Sequence, residues 1–508
     1  MNAADFLLAE APMRGDRPAF SWDGGRIAHG ALPDLTARGA GLLAELGAGR
    51  GARVLIVLSD SIEFVAIYLG ALRLGAIAVA FNPQAPLSDM ARVVEDCRPS
   101  VALIEAELAV AWSALSPAVP ATLAGRGEIA RRLVSARPHP GAPAAATDPA
   151  FLVYTSGTTG TLKAAIHRHG DVALAARYPR EVLGLGPDDI LFATSKLYFA
   201  YALGTILFGT LALGASAVLC DGASKPENVA AAVARHRPSV VFSVPTAYRN
   251  LLAAGVAGGK AFGAVRRYVS AGERLPPALW ERWRRATGVE ALDAMGTSET
   301  VFMLLANAPG AARPGASGFP APGAELCLAD GAGHEVPPGT PGILWARIAS
   351  VADGYWNRPE LSAQLFRQGW FKTGDIYRID EDGAFHHQGR ADDMLKIAGQ
   401  WVSPAEIEEL ALAAGCRDAA LVSAPDADEL ARAVLFVVPG ANAPQDDGAN
   451  SPRGHGADVP RGDGALSAAL LSLPVHKRPR AIRRVKEIPR TATGKIQRYK
   501  LRAEMERD

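Results

Sequence analysis

The chain has 508 residues, more than one hydrophobic core usually organises, so roughly two to four domains are expected. Apolar residues make up 49% and charged residues 21%, the range of ordinary globular proteins. With 53 Lys and Arg against 52 Asp and Glu, formal charge is +1, which excludes a global field that recruits nucleic acid or anionic membrane; any basic site must be local.

The four cysteines, Cys97, Cys220, Cys327 and Cys416, form no CxxC pair, and no His cluster sits at ligand spacing, which argues against zinc and a disulfide framework. The N-terminus lacks a basic segment followed by a long apolar core, so no secretory signal is expected. The apolar stretch 199–219 is interrupted by glycines and too short for a convincing membrane span. A cytoplasmic protein, monomer or homodimer, without nucleic-acid or membrane partners, is the expectation.

In chain order, residues 53–82 alternate a short apolar run, a helical apolar pattern and a second apolar run, which predicts a β-α-β unit. Residues 138–150 form a Pro/Ala-rich connector before an apolar strand at 151–154. Further strands are expected near 215–219 and 239–244, with Ala/Arg-rich helices between them, the rhythm of parallel sheets covered on both faces. Beyond Gly318, shorter alternating runs and turn signals predict a smaller, more antiparallel region. Another break comes at Gly389, followed by a helix with Ser403 as N-cap and Pro404 in its first turn. The Gly/Asp/Asn/Pro-rich stretch 440–464 is expected as a surface loop.

The strongest chemical signal is YTSGTTGTLK at 154–163. Gly157 and Gly160 permit tight backbone turns; Thr155, Ser156, Thr158 and Thr159 supply hydroxyls, and Lys163 adds a cation, so a strand leading into this loop can cradle a polyphosphate. It is not a Walker A loop, because the Lys is three residues after Gly160. A solvated Ser/Thr/Gly loop is the plainer alternative. Four other segments are weaker alone: MGTSE at 295–299, GWFKTGD at 369–375, GRADDMLKIAGQW at 389–401 and PRTATGKIQR at 489–498. A solvated Glu, a turn Asp, a charged turn and a solvated Lys are their ordinary explanations.

Together and in this order, the five motifs resemble those of the adenylate-forming superfamily of acyl- and aryl-CoA ligases, peptide-synthetase adenylation domains and firefly luciferase. The resemblance spans nearly the whole chain. One departure is Leu162-Lys163-Ala164, where members usually have Pro-Lys-Gly. The resemblance implies an α/β fold: a large N-terminal domain of mixed and parallel sheets flanked by helices, with a β-barrel-like subregion, and a small mobile α+β C-terminal lid. The implied boundaries are 1–390 and 391–508, with a hinge at Asp392.

It also implies the site residues. Glu299 would hold Mg²⁺, with Thr155, Lys163 and Lys495 as its catalytic companions. ATP, Mg²⁺ and coenzyme A would be bound through the 155–160 loop and Lys163, through Ala271, Gly272, Glu273 and Asp293, and through Met295, Gly296, Thr297 and Ser298. Asp375 would accept the ribose hydroxyls, Arg390 would reach ribose or phosphate, and Lys396 and Gly399 would swing toward the site for the second half-reaction. Lys477 and Arg480 belong to a basic patch, 476–484, suited either to coenzyme A phosphates or to a solvated face.

The segment 196–204 resembles the benzoate-CoA ligase branch. It implies an acid pocket built from Phe199, Ala200, Tyr201, Ala271, Gly272, Gly296, Phe302, Met303 and Lys396, although plain core packing explains some of these as well. Members of that branch often carry His where Phe302 falls, which shifts the expected acid from benzoate itself toward a substituted or small cyclic one. The implied activity is an ATP-dependent, AMP-forming acid–CoA ligase. A stand-alone adenylation enzyme loading a carrier protein, a non-catalytic nucleotide-binding module and a luciferase-type oxygenase are the alternatives.

Overall fold

The computed structural model describes residues 1–115, 119–156, 162–222, 224–391, 395–397, 400–425, 431–440, 464–490 and 496–505. The chain divides into two compact units, one of Met1–Cys327 with Trp345–Thr373, the other of Leu328–Leu344 with Gly374–Asp508.

After the short helices Ala3–Leu8 and Ala11–Arg14, the strands of the first unit begin with an antiparallel pair, β1 (Pro18–Trp22) and β2 (Gly25–Ala28). The chain then lays down β3 (Arg53–Val57), β4 (Ile77–Ala80), β5 (Val101–Ile104), β6 (Ala121–Ala124), β7 (Pro149–Ser156) and β8 (Leu162–Arg168). There follow β9 (Ile190–Ala193), β10 (Ser216–Val218), β11 (Val240–Ser243), β12 (Arg267–Ser270), β13 (Ala291–Gly296), β14 (Met303–Ala306) and β15 (Phe319–Pro320). Two sheets result, one of six strands in the order β6-β5-β3-β4-β7-β8, and one of nine in the order β15-β14-β13-β12-β11-β9-β10-β1-β2. Both are parallel at their centres and antiparallel toward an edge. The chain thus has an α/β fold with several mixed sheets.

The expected β-α-β unit is β3, the helix Ile62–Arg73 and β4, with Arg53 paired to Ile77 and Ile56 to Ala80 in parallel register. Its RVLIV strand is β-branched and buried on both faces beyond Arg53, as a helix-covered parallel strand requires. Ser61 caps the helix by accepting from the Phe64 N–H at 3.1 Å. One buried cluster takes in Val54 and Phe151 from the six-stranded sheet and Phe20 and Phe242 from the nine-stranded sheet. Within it Phe151 lies 5.4 Å from Phe208 and 6.3 Å from Tyr68. The apolar run after Phe199 is helical, with a wide π-type stretch at Leu203–Gly209, and it closes at left-handed Gly214. Widened turns of this kind are frequent beside functional sites.

In the second unit the antiparallel texture expected beyond Gly318 is seen where Asp375–Ile379 pairs with Phe385–Arg390. Asp418–Pro425, Ala431–Val438 and Ala481–Arg484 form a three-stranded sheet beside the helix Pro404–Ala413. Ser403 does occupy the N-cap position, but its hydroxyl caps nothing; it donates to the Gln388 carbonyl instead. Residues 441–463 of the expected surface loop lie outside the described residues. Among the described residues no helix is long and apolar enough to cross a membrane.

Candidate active site

Strand β7 runs into the Thr/Ser/Gly loop and β8 runs out of it, with Thr155 paired to Lys163 across the antiparallel ladder. On its other edge β8 is joined by residues 353–356. The Ile166 N–H donates to Gly354 O at 3.0 Å, the Trp356 N–H to Ala164 O at 2.8 Å, and Ala165 bridges Tyr355. That pairing brings the phenol of Tyr355 beside Lys163. The Lys163 ammonium donates to the Tyr355 hydroxyl at 2.7 Å, and the hydroxyl donates to Glu299 Oε1 at 2.6 Å. Lys163 Nζ lies 3.8 Å from the same carboxylate oxygen and 4.1 Å from the Tyr355 ring centroid. Glu299 is only 8% exposed, so its charge is stabilised chiefly by these partners rather than by water.

The backbone around Glu299 is held from several sides. Ala352 N–H donates to Glu299 O at 2.9 Å, and Ser350 Oγ to Thr300 O at 2.7 Å. His167 Nε2 lies 2.9 Å from Ser298 O, its Nδ1 3.0 Å from Asp171 Oδ2, and the ring stacks on Phe151. Val301 sits at φ 60°, a left-handed conformation that a β-branched residue adopts only when its surroundings impose it. The turn reverses β13 into β14, so tightly that a Cβ on Gly296 would come 3.0 Å from Phe302 O.

Further along the same sheet, Tyr201 donates from its hydroxyl to Val269 O at 3.2 Å. Ala271 is buried, Gly272 takes φ 86°, and Glu273 accepts from Thr246 at 2.9 Å. Phe302 and Met303 are buried beside that turn, while Phe199 stands edge-on to Tyr198. Asp293, on β13, is buried, and its Oδ1 meets no hydrogen-bond partner among the described residues. Burial pushes its carboxyl well above the usual carboxylate range.

In the second unit Asp375 and Arg390 come together. Arg390 Nη1 donates to Asp375 Oδ2 at 2.9 Å and His387 Nε2 lies 3.1 Å from Oδ1. Gly374 leaves room for the guanidinium, since a Cβ there would fall 3.0 Å from Arg390 Nη2. Lys396 is paired to Trp401 through the backbone. In the basic patch, Lys477 donates to both oxygens of Glu406, and Arg478 to the Leu471 and Leu473 carbonyls. Arg480 is exposed.

Residues 8–356 match the AMP-binding enzyme family. The chain belongs to that family. It is 42% identical to a 3-hydroxybenzoate–CoA ligase of Aromatoleum sp. (strain CIB), over 99% of this chain and 96% of the relative. It is 35% identical to a benzoate–CoA ligase of Thauera aromatica, over 99% and 96%. The crystal structure of a benzoate CoA ligase from Burkholderia xenovorans LB400 superposes with TM-score 0.89 at 31% identity, covering 99% of this chain and 100% of that one.

For this AMP-binding enzyme, the motifs of the sequence converge in two groups: Lys163 with Glu299 in the first unit, Asp375 with Arg390 in the second. Gly157, Thr158, Thr159, Gly160, Asp392, Gly399 and Lys495 lie outside the described residues. Sequence reasoning missed Tyr355, His167 and Asp171. The His167/Asp171 pair was visible as an i,i+4 spacing after the loop; Tyr355 carried no local signal.

Proposed function

We propose that this AMP-binding enzyme is an AMP-forming aromatic acid–CoA ligase acting on benzoate or a substituted benzoate. The observation that carries the reading is the Lys163–Tyr355–Glu299 bridge at the mouth of a Thr/Ser/Gly loop, joined to full-length similarity to hydroxybenzoate– and benzoate–CoA ligases. In the first half-reaction a carboxylate oxygen of the acid attacks the α-phosphorus of ATP, and the bond to pyrophosphate breaks. In the second, the thiolate of coenzyme A attacks the acyl carbon, AMP leaves, and the thiol proton passes to solvent. Both steps bring anions together, so positioned cations and donors lower the barrier.

Lys163, hydrogen-bonded through Tyr355, would neutralise phosphate charge. Asp293 Oδ1, a buried acceptor without a partner among the described residues, would accept from the adenine amino group beside Ala271, Gly272 and Glu273, which relieves the cost of leaving it unpaired. Asp375, held by His387 and Arg390, would take the ribose hydroxyls, since a carboxylate can accept from both O–H groups of a vicinal diol. Glu299 is the oxygen ligand that fits Mg²⁺. Among the described residues no cluster of three or more His, Cys, Asp or Glu could hold a metal, and Mg²⁺ characteristically takes one or two carboxylates and completes its shell with water and phosphate oxygens. Bound there, it would supply charge neutralisation for the pyrophosphate leaving group.

Residues 1–390 would bind nucleotide and acid, with the antiparallel strands beyond Gly318 as a barrel-like subregion. Residues 391–508 would act as a mobile lid hinged at Asp392, delivering Lys495 for adenylation and then the Lys396–Gly399 segment for thioester formation. Lys477 and Arg480 would meet coenzyme A phosphates. The test is acid-dependent AMP release with ATP, Mg²⁺ and coenzyme A across benzoates, hydroxy- and aminobenzoates, cyclohexanecarboxylate and fatty acids. One ring acid should dominate and its thioester should accumulate. AMP without thioester would point to a carrier-protein acceptor, and absence of AMP with every acid would refute adenylation.

A further inference from the structure

Tyr178 begins a short π-type turn, Tyr178–Val182, and is 5% exposed. Among the described residues its hydroxyl meets no hydrogen-bond partner. Two neighbouring phenols are already committed: Tyr201 donates to Val269 O at 3.2 Å and Tyr248 to the same carbonyl at 2.9 Å. Tyr178, Leu203, Ile206 and Phe302 belong to one buried cluster, and Tyr201 packs against it.

Packing links that cluster to the proposed acid pocket. A side-chain carbon at Gly209 would come 3.9 Å from Pro179 Cγ and 3.2 Å from Gly204 O. One at Gly204 would come 3.0 Å from Val301 O and 3.6 Å from Phe302 Cδ1. The Tyr178 turn, the Leu203–Gly209 helix and the Val301–Phe302 turn therefore abut. Tyr178 brings to that packing a phenol without a hydrogen-bond partner among the described residues. A buried hydroxyl without a partner is costly, and a ligand that supplies the partner recovers that cost.

We infer that the Tyr178 phenol hydrogen-bonds a ring hydroxyl of the acid substrate and thereby selects hydroxybenzoates over benzoate. This rests on the aromatic acid–CoA ligase reading. Burial pushes the Tyr178 hydroxyl well above its ordinary value, so the phenol stays neutral, able to donate to the ring oxygen or to accept its proton. A pocket built to hydrogen-bond a substrate hydroxyl discriminates strongly against the analogue that lacks it.

The experiment compares wild type with Tyr178→Phe on 3-hydroxybenzoate, 4-hydroxybenzoate and benzoate, by initial rates of acid-dependent AMP release, with thermal midpoints as a check on folding. For the hydroxybenzoate the site accepts, the ratio of its kcat/KM to that of benzoate should fall by about tenfold or more, mostly through KM. A ratio that stays put, whether all rates are kept or all fall in parallel, overturns the assignment of Tyr178 alone. Wild-type enzyme that releases AMP with none of the three acids overturns the aromatic-acid reading, and this inference with it.

Discussion

Replacing Tyr355 with Phe removes a single oxygen and keeps the ring, which stands edge-on to Phe366 at 5.3 Å. That oxygen accepts from Lys163 at 2.7 Å and donates to Glu299 at 2.6 Å. Both bonds involve a charged group, and such bonds contribute about 1.5–3 kcal/mol each. The loss is partly offset, because Lys163 Nζ is already 3.8 Å from Glu299 Oε1 and can close on it. At an effective dielectric of about 20 that direct attraction is about 4 kcal/mol before desolvation, so the ion pair survives and the net loss is about 2 kcal/mol. At about 1.4 kcal/mol per decade, this corresponds to a fall of roughly 10–30-fold if the bridge positions Lys163 for the phosphates. The assay is acid-dependent exchange of labelled pyrophosphate into ATP, read beside the thermal midpoint of the same preparation. Exchange within twofold of wild type would mean that the phenol holds nothing the reaction uses. A lowered midpoint with unchanged exchange would make the bridge purely structural.

Three other outcomes are expected. His167→Ala removes the partner of the Ser298 carbonyl and one partner of Asp171, which keeps Arg168, and leaves a gap against Phe151; it should cost about 3 kcal/mol in denaturant unfolding, and a cost below about 1 kcal/mol would contradict the anchoring role. Burial raises the Asp60 carboxyl from 3.8 to about 6, so the native state holds that proton more tightly than the unfolded chain, and stability is lost as pH rises from about 4 through 6. Asp60→Asn should therefore gain on wild type by about 2 kcal/mol between pH 4 and 6, at up to about 1.4 kcal/mol per pH unit, and by little more above pH 7; a pH-independent difference in thermal midpoint would refute this. Gly296→Ala pushes a Cβ to 3.0 Å from Phe302 O and should raise KM for the acid several-fold with the fold intact, which saturation curves and circular dichroism would check.

The helix-covered strands were legible because their pattern is local: RVLIV followed by a helical period and IAVA folds as β3, helix and β4. Lys163 and Glu299 were legible as motifs, since each stands in a short string of small residues. Tyr355 was not. Its partner Lys163 is 192 residues away, and Gly354-Tyr355-Trp356-Asn357 reads as an ordinary turn. Likewise nothing local says that Ser403 spends its hydroxyl on Gln388, or that Lys477 is taken up by Glu406 on the helix Pro404–Ala413. These are tertiary choices among equally polar partners.

The phenol that joins Lys163 to Glu299 also sets an order of events during synthesis. Tyr355 follows Glu299 by 56 residues, which takes a ribosome roughly 3–11 seconds at ordinary elongation rates. Through that interval strands β1 to β15 are completed, Lys163 and Glu299 included, while the residue that bridges those two has not been made. Nucleotide-binding competence should thus arrive late and abruptly on the nascent chain, once residues 353–356 zip onto the edge of β8. A fragment stopping short of Tyr355 would carry every strand from β1 to β15 and still lack a finished site.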